Sequence, residues 1–582
     1  MDILLNYLHS GFTHAFSFVI LLGVLVFVHE LGHFLVAVWC GVKVEVFSLG
    51  FGKKIFQYQK GDTNYCISLI PLGGYVKMFG EQPGDEIPED QKKVSFTHKK
   101  VSQRLAIVLA GPIMNLLFAF LVFIVVAFSG ETFKGPFVGE VNPGSQAEIA
   151  GFSAGDKILK VNDTAISTWD QFQDTLDNNL EQNLKITLQK EISKEEKTIE
   201  TRISSKNNPN VVTLKKYIGE IPGLTPLSYA AVIAVNKKSA LYQLGLRYGD
   251  RIDSINEVKI LNFRDINPYL ARWKEETLKK SDVEPKLIFK VVRNEIDKKN
   301  TSQHTFELVL KSEDLTSNNF AAKDSSGNTS GSFTMENLGL ESTQLYVDRV
   351  MPDSPAEKAG IKRGDKIVSI NDKTLKIWDD ILTNVKSFSE KDKPLSVGIL
   401  RDEEQLKLQI SPQMTTHDTL HGTEEKRYTI GISPLLMYAQ PEVVVISEKN
   451  FPAMIQRSFV KTWDVSVMTV LSFVRLIQNQ ISPKNIGGIF SIAQAANETF
   501  KLGLSAFLQM MGLISINLFI LNLLPIPMLD GGHIVFYCIE AIKGSPLSLN
   551  KMEMAHKVGM ILLFSLMIFA LFNDFKRMFG FM

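Results

Sequence analysis

Residues 26–36 read VFVHELGHFLV, two histidines and a glutamate inside an apolar run. On a helix His29 and His33 are one turn apart, so both rings leave one face and can reach a single metal ion. Glu30 sits beside the first of them, where it can take a proton from water at that ion. This is the physical content of the spacing as a zinc-hydrolase signature. An ionisable group at the centre of a membrane span costs about 2.5–3.5 kcal/mol even on the gentler insertion scale. A helix that merely packs two neutral histidines is therefore the weaker reading.

Moving outward, residues 12–28, 105–130, 502–529 and 558–572 carry no Asp, Glu, Lys or Arg. Runs of this kind read as membrane spans, which need about 20 mostly apolar residues. The last is short, and Lys557 lengthens it by snorkelling to the interface. The first has no preceding Lys or Arg and no small-residue cleavage pattern, so a removed leader is not expected. Segment 453–481 is also apolar, but Arg457, Lys461, Asp464 and Arg475 interrupt it. It reads as an amphipathic helix on or partly in the outer interface. Four spans remain.

No Lys or Arg occurs in residues 1–28, whereas ten occur between Lys43 and Arg104. The positive-inside rule places the 39–104 loop in the cytoplasm and the N-terminus outside, and it exports residues from about 131 to 500. The 63 basic and 62 acidic residues nearly cancel, so nothing in the charge points to nucleic acid. No cysteine lies between positions 67 and 537, which leaves the exported region without a disulfide framework.

That region repeats. SQAEIAGFSAGDKILKVND from Ser145, SALYQLGLRYGDRIDSINE from Ser239 and SPAEKAGIKRGDKIVSIND from Ser354 align without gaps. Each has a glycine (Gly151, Gly245, Gly360), a Gly-Asp pair (Gly155-Asp156, Gly249-Asp250, Gly364-Asp365) and an asparagine (Asn162, Asn256, Asn371) in one phase. The pattern predicts a short helix ending on a glycine cap, a Gly-Asp turn, a strand and a second turn at the asparagine. Tyr242 and Lys237-Lys238 make the second copy the least typical. The repeat resembles the bacterial PDZ domain, which binds a peptide as an added strand on a sheet edge. TSNNFAAKDSSGNTSGS (316–332) reads as a flexible linker, with another near 415–427.

Two histidines leave a catalytic zinc one protein ligand short. The candidate for the third is Asp530 in SINLFILNLLPIPMLDGGH (515–533), with His533 a weaker rival. Pro525 and Pro527 break the helix before Asp530, which membrane proteins tolerate where backbone lines a cavity. A plain turn at Asp530-Gly531-Gly532 is the competing explanation. In the cytoplasmic loop, VKVEVFSLGFGKKIFQYQ (42–59) alternates as a hairpin, and YCISLIPL leads into Gly73-Gly74-Tyr75. An edge strand there could pair with an unwinding peptide.

Taken together, HELGH, PLGGYVKM (71–78), AGPIMN (110–115), NLLPIPMLDGGH (522–533) and FNDF (572–575) resemble the site-2 protease family of intramembrane zinc metalloproteases. The resemblance covers nearly the whole chain. It implies one zinc ion on His29, His33 and Asp530, with Glu30 as the catalytic acid/base. It also implies that Asn517 and Asn522 hold the unwound substrate, although interhelical packing explains Asn517 equally well; Asn115 reads as a packing residue. It further implies a bacterial inner-membrane enzyme that cuts single-span proteins already trimmed by another protease, namely an anti-sigma factor and signal-peptide remnants. The exported domains would act as a size filter. Two features depart from the family pattern: three PDZ-like copies instead of two, and IGGIFSIA (486–493) where a Gly-Pro is usual.

The expected fold is an α-helical polytopic membrane protein with four spans, a cytoplasmic membrane-associated β-hairpin region and three exported PDZ-like α+β domains. Its parts are a first span in 1–40, the hairpin loop 41–102, a second span 103–130, and PDZ-like domains at 131–215, 216–313 and 334–415. A linker falls at 314–333, a connector at 416–452, the interfacial helix at 453–481, and the last spans at 502–533 and 554–575. Partners would be single-span substrates, peptide ligands of the PDZ-like domains and the bilayer, with no nucleic acid. Two other classes use the same features. A zinc transporter would need polar residues along several spans, and here they cluster at one level. An inactive PDZ-bearing receptor would not need an intact HELGH.

Overall fold

A computed structural model describes residues 2–81, 87–191, 193–279, 284–294, 301–311, 315, 333–389, 391, 393–402, 404–418 and 424–579. Among them, four helices are long and apolar enough to cross a membrane: Ala15–Trp39, Val101–Ser129, Leu504–Leu523 and Leu549–Met578. Each overlaps one of the four charge-free runs, although the third helix stops at Leu523 and does not extend to 533, and the chain is a multi-pass membrane protein.

Helix α1 (Asp2–Trp39) and α2 (Val101–Ser129) cross closely. A side chain on Gly32 would meet the Ala110 carbonyl oxygen, and its Cβ would come within 2.9 Å of Met114 Cβ. Between the two helices, β1 (Val44–Lys60) and β2 (Thr63–Met78) form a sheet in which both strands bend. Val46 lies opposite Lys77 on one side and Asn64 on the other, while Tyr58 lies opposite Tyr65. Segments 74–78 and 54–60 are therefore the two edges.

Each repeat builds a four-stranded antiparallel sheet in the spatial order 2-1-3-4 over its own apolar core. The repeated residues are explained by bonds. Ser145, Ser239 and Ser354 cap short helices by accepting from the amides of Glu148, Tyr242 and Glu357. Asp156, Asp250 and Asp365 accept from the amides of Ser153, Arg247 and Lys362 at 2.8, 2.9 and 2.8 Å, closing the Gly-Asp turn. Asn162, Asn256 and Asn371 have φ of 49°, 45° and 49°, the left-handed region that asparagine tolerates. The atypical second copy keeps this whole frame.

The units close later than the sequence expectation. Leu224-Thr225 pairs with Glu140-Val141, Leu340–Ser342 with Ile233–Val235, and Ile432–Pro434 with Val347–Val350. Strand pairing thus carries the units past 215, 313 and 415, to Thr225, Ser342 and Pro434. The returning strand is short and follows a polar excursion, which hid it. The second expected linker is instead a hairpin, Gln413–Asp418 with Glu424–Thr429. The linker at 316–332 lies outside the described residues.

After the third unit the chain returns to the bundle, where β3 (Glu131–Lys134) pairs with β4 (Val443–Ile446). The amphipathic helix is α3 (Phe451–Ile477). Its buried face, Met454, Ser458, Thr462 and Thr469, packs along α2 and along α5 (Leu504–Leu523). Glu131, two residues beyond the end of α2, is held by Arg457 and Lys461 of α3. Helix α4 (Ile489–Leu502) lies between and packs on α1. Helix α6 (Asp530–Lys543) is fixed to α2 by a half-buried bidentate pair, Arg104 with Glu540 at 3.1 and 2.7 Å.

The FNDF sequence lies near the end of α7 (Leu549–Met578) and clamps the segment before α4. Asp574 accepts from the amides of Gly488, Phe490 and Ser491, and Asn573 Nδ2 donates to the carbonyls of Pro483 and Ile486. This accounts for the glycine at 488. A Cβ on Gly488 would stand 2.6 Å from Asp574 Oδ2.

Candidate metal centre

His29 and His33 leave α1 on one face with their Nε2 atoms 3.3 Å apart. The His33 Nδ1 faces the Ile107 carbonyl at 2.8 Å. A carbonyl can only accept, so Nδ1 carries the proton and Nε2 offers a lone pair. His29 Nδ1 faces the amide of Asn115, which is fully buried, at 3.3 Å. With Nδ2 toward the ring, Asn115 Oδ1 is buried without a hydrogen-bond partner. A half-turn of the amide turns Oδ1 to the ring and makes His29 Nδ1 the donor, leaving Nε2 free to face a metal. Both imidazoles then present lone pairs to the same point.

Asp530 reaches that point from the far end of the sequence. Helix α5 stops at Leu523, and the Leu524–Leu529 turn folds back on it, so Asp530 opens α6. The two glycines after it are demanded by close approach. A Cβ on Gly531 would meet the Leu524 and Leu523 carbonyl oxygens, and one on Gly532 would stand 2.5 Å from that of Ile526. Met528, with φ of +98°, holds a backbone conformation costly for a side-chain-bearing residue. Asp530 Oδ2 lies 3.2 Å from His29 Nε2, and Oδ1 lies 3.6 Å from His33 Nε2.

A tetrahedral zinc with bonds of about 2.0–2.1 Å spaces its ligand atoms about 3.3–3.4 Å apart. The two imidazole nitrogens are 3.3 Å apart, and the two carboxylate oxygens of Asp530 stand 3.2 Å from one and 3.6 Å from the other. Among the described residues this is the one group of three such side chains whose ligand atoms converge within 4.8 Å. The donor set and the spacing fit zinc.

The cluster opens into a cavity of about 280 Å³ lined by Glu30, Tyr75, Val76, Glu81, His533, Tyr537 and His556 among others. Glu30 is positioned by the β-sheet edge: the Val76 backbone N–H hydrogen-bonds it, and a Cβ on Gly74 would come within 3.1 Å of its Cγ. Burial lifts the Glu81 carboxyl above the usual range, and the Met78 amide pulls it partly back. Burial likewise pushes Tyr537 up to about 12.

Other expected site residues are arranged differently. Tyr75 lines the cavity, whereas Gly73 packs against the Phe51 ring. Asn517 accepts from Thr469 Oγ1 of α3 at 2.9 Å, and neither it nor Asn522 lines the cavity. His533 lines the cavity without joining the three-ligand cluster. Sequence reasoning missed Glu81, Tyr537 and His556. Only His556 carried a signal, an imidazole in an apolar helix.

The profile of peptidase family M50 matches residues 17–566. The regulator of sigma E protease of Haemophilus influenzae is 29% identical over 97% of this chain and 98% of its own length. The regulator of sigma-E protease RseP of Escherichia coli K12 is 30% identical over 97% and 98%. A Vibrio cholerae protein described as a zinc metalloprotease is 29% identical over 99% and 100%. A solved PDZ domain protein from Parabacteroides distasonis matches 55% of this chain and 98% of that one at 11% identity, with a TM-score of 0.12, too slight a likeness to define the fold. Apolar spans, a buried zinc-type cluster and these relatives define a zinc metalloprotease of the site-2 type, acting within the membrane. The chain belongs to peptidase family M50.

Proposed function

We propose that this protein cuts peptide bonds inside the spans of pre-trimmed single-span proteins in a bacterial inner membrane, with an anti-sigma factor and signal-peptide remnants as substrates. The observation that carries the reading is the convergence of His29, His33, Asp530 and Glu30 on one cavity between membrane helices. Envelope-stress signalling is supported by the relatives named as regulators of sigma E protease.

His29, His33 and Asp530 would hold one zinc per chain, which supplies a Lewis acid that lowers the pKa of water and polarises a peptide carbonyl. The remaining work falls to the chain itself. Glu30 takes a proton from the attacking water and returns it to the departing nitrogen. The Val76 amide keeps its carboxylate aimed, and the His33 bond to Ile107 keeps the ring in the productive tautomer. A substrate helix hides its carbonyls in its own hydrogen bonds, so it must unwind before cleavage. The free edge at residues 74–78, beside Glu30, offers it a strand partner through Gly74 and Tyr75, with Gly73 shaping the turn. Asn522, and Asn517 once its bond to Thr469 opens, hold the unwound segment.

The N-terminus and the three PDZ-like units would face the periplasm, and the cavity the cytoplasmic half of the bilayer, following the charge asymmetry of the loops. The units screen substrates by size and bind peptide termini. Glu30→Gln should abolish cleavage of a tagged single-span substrate while retaining bound zinc. Cleavage at the normal rate would overturn the reading.

A further inference from the structure

The cavity holds a second pair of imidazoles that the proposed chemistry does not use. His533 projects from α6, three residues after Asp530, and His556 from the early part of α7. Both line the cavity, their ring centroids are 5.5 Å apart, and the planes are inclined at 58°. His556 Nε2 is buried and has no hydrogen-bond partner among the described residues. The Phe536 ring walls both imidazoles, at 6.1 Å from His533 and 5.7 Å from His556. Phe536 offers no hydrogen bond, so a buried imidazole nitrogen beside it gains most from an ion or water in the cavity.

The spacing discriminates between these. Two imidazoles on one tetrahedral zinc, each bonded at about 2.0–2.1 Å, put their ring centroids about 5.2 Å apart. The His29–His33 pair, which fits a shared ion by its nitrogen positions, has centroids 4.8 Å apart at 90°. The His533–His556 pair is within reach of the same arrangement. Imidazole favours late first-row divalent ions.

We propose that His533 and His556 form a second, weaker zinc site in the wall of the catalytic cavity, completed by water, and that zinc bound there inhibits cleavage. An ion in this position ties α6 to α7 and stands in the space a peptide must enter. The inhibitory consequence rests on the protease reading, whereas the site itself does not.

The test is equilibrium dialysis of the full-length protein in detergent against graded Zn2+, with metal counted per chain, beside cleavage of a tagged single-span substrate. The wild type should bind two ions, the second more weakly, and lose at least tenfold in cleavage as the second binds. His556→Phe should bind one ion and lose the inhibition, its cleavage in excess Zn2+ matching its own rate at low Zn2+. His556→Gln, closer in polarity, guards against misfolding and should behave likewise. His29→Ala/His33→Ala should retain the weaker ion. If both His556 variants bind two ions, or the wild type saturates at one that only the His29/His33 change removes, the second site is overturned. If the one ion bound is lost with His556 but kept without His29 and His33, the second site stands and the catalytic assignment fails.

Discussion

Gly111 is where the closeness of α1 and α2 can be converted into a number. A methyl group at this position would overlap His33 Nε2 and stand 2.8 Å from His29 Cε1. Ordinary carbon contacts begin near about 3.5 Å, so Gly111→Ala must move the His29 ring alone by about 0.7 Å. Alanine is the better helix former by about 1 kcal/mol, so secondary structure does not account for a loss. Misplacing a reacting group by about 1 Å costs roughly 100-fold in rate, and we expect a loss of that order in Gly111→Ala, with bound zinc also reduced. The assay is cleavage of a tagged single-span substrate in membranes, with zinc counted on the purified protein. Gly23→Ala is the control, because a Cβ on Gly23, in the same helix as the histidines, meets nothing within 4 Å. Gly111→Ala activity within about threefold of the Gly23→Ala control would refute the argument that these helices touch through the metal ligands.

Asn115→Leu leaves the His29 Nδ1–H without its acceptor and should weaken zinc binding about 10–100-fold, whereas Asn115→Asp should restore much of it; competition with a chelator measures both. Glu540→Gln strands the Arg104 guanidinium in its half-buried site and should cost about 3 kcal/mol, read as a lower unfolding temperature in detergent. The Glu81 carboxyl is raised by burial, so its contribution to stability is full below the unfolded value and is lost as pH rises through the folded one. Glu81→Gln should therefore match the wild type in unfolding temperature at pH 4 and exceed it at pH 8. Arg457→Ala with Lys461→Ala leaves Glu131 without its partners and should loosen α3, detected as faster protease nicking near residue 450.

The parts legible in the sequence share one property. His29 and His33 are read together because a helix repeats every 3.6 residues. The spans are read from the length of apolar runs, and the three units from serine, glycine, aspartate and asparagine in a fixed phase. Each of those repeated residues makes a bond to a neighbour a few residues away or satisfies one local turn. The closing strands of the units were not legible, since Leu340–Ser342 finds Ile233–Val235 only after more than a hundred intervening residues are folded or looped out. Nor was the partner of Asn517, which comes from a helix whose packing face mixes Ser458, Thr462 and Thr469 with apolar residues.

The chain's local patterns by themselves determined a membrane protein with two candidate metal ligands and a neighbouring acid on its first span. Only the tertiary structure decided where Asp530 lies. Its position follows from glycines that let α1 press on α2, from the Arg104–Glu540 pair that fixes α6, and from a turn that folds back on α5. A metal site shared between opposite ends of a chain depends on how its helices pack, and no period along the sequence encodes that distance.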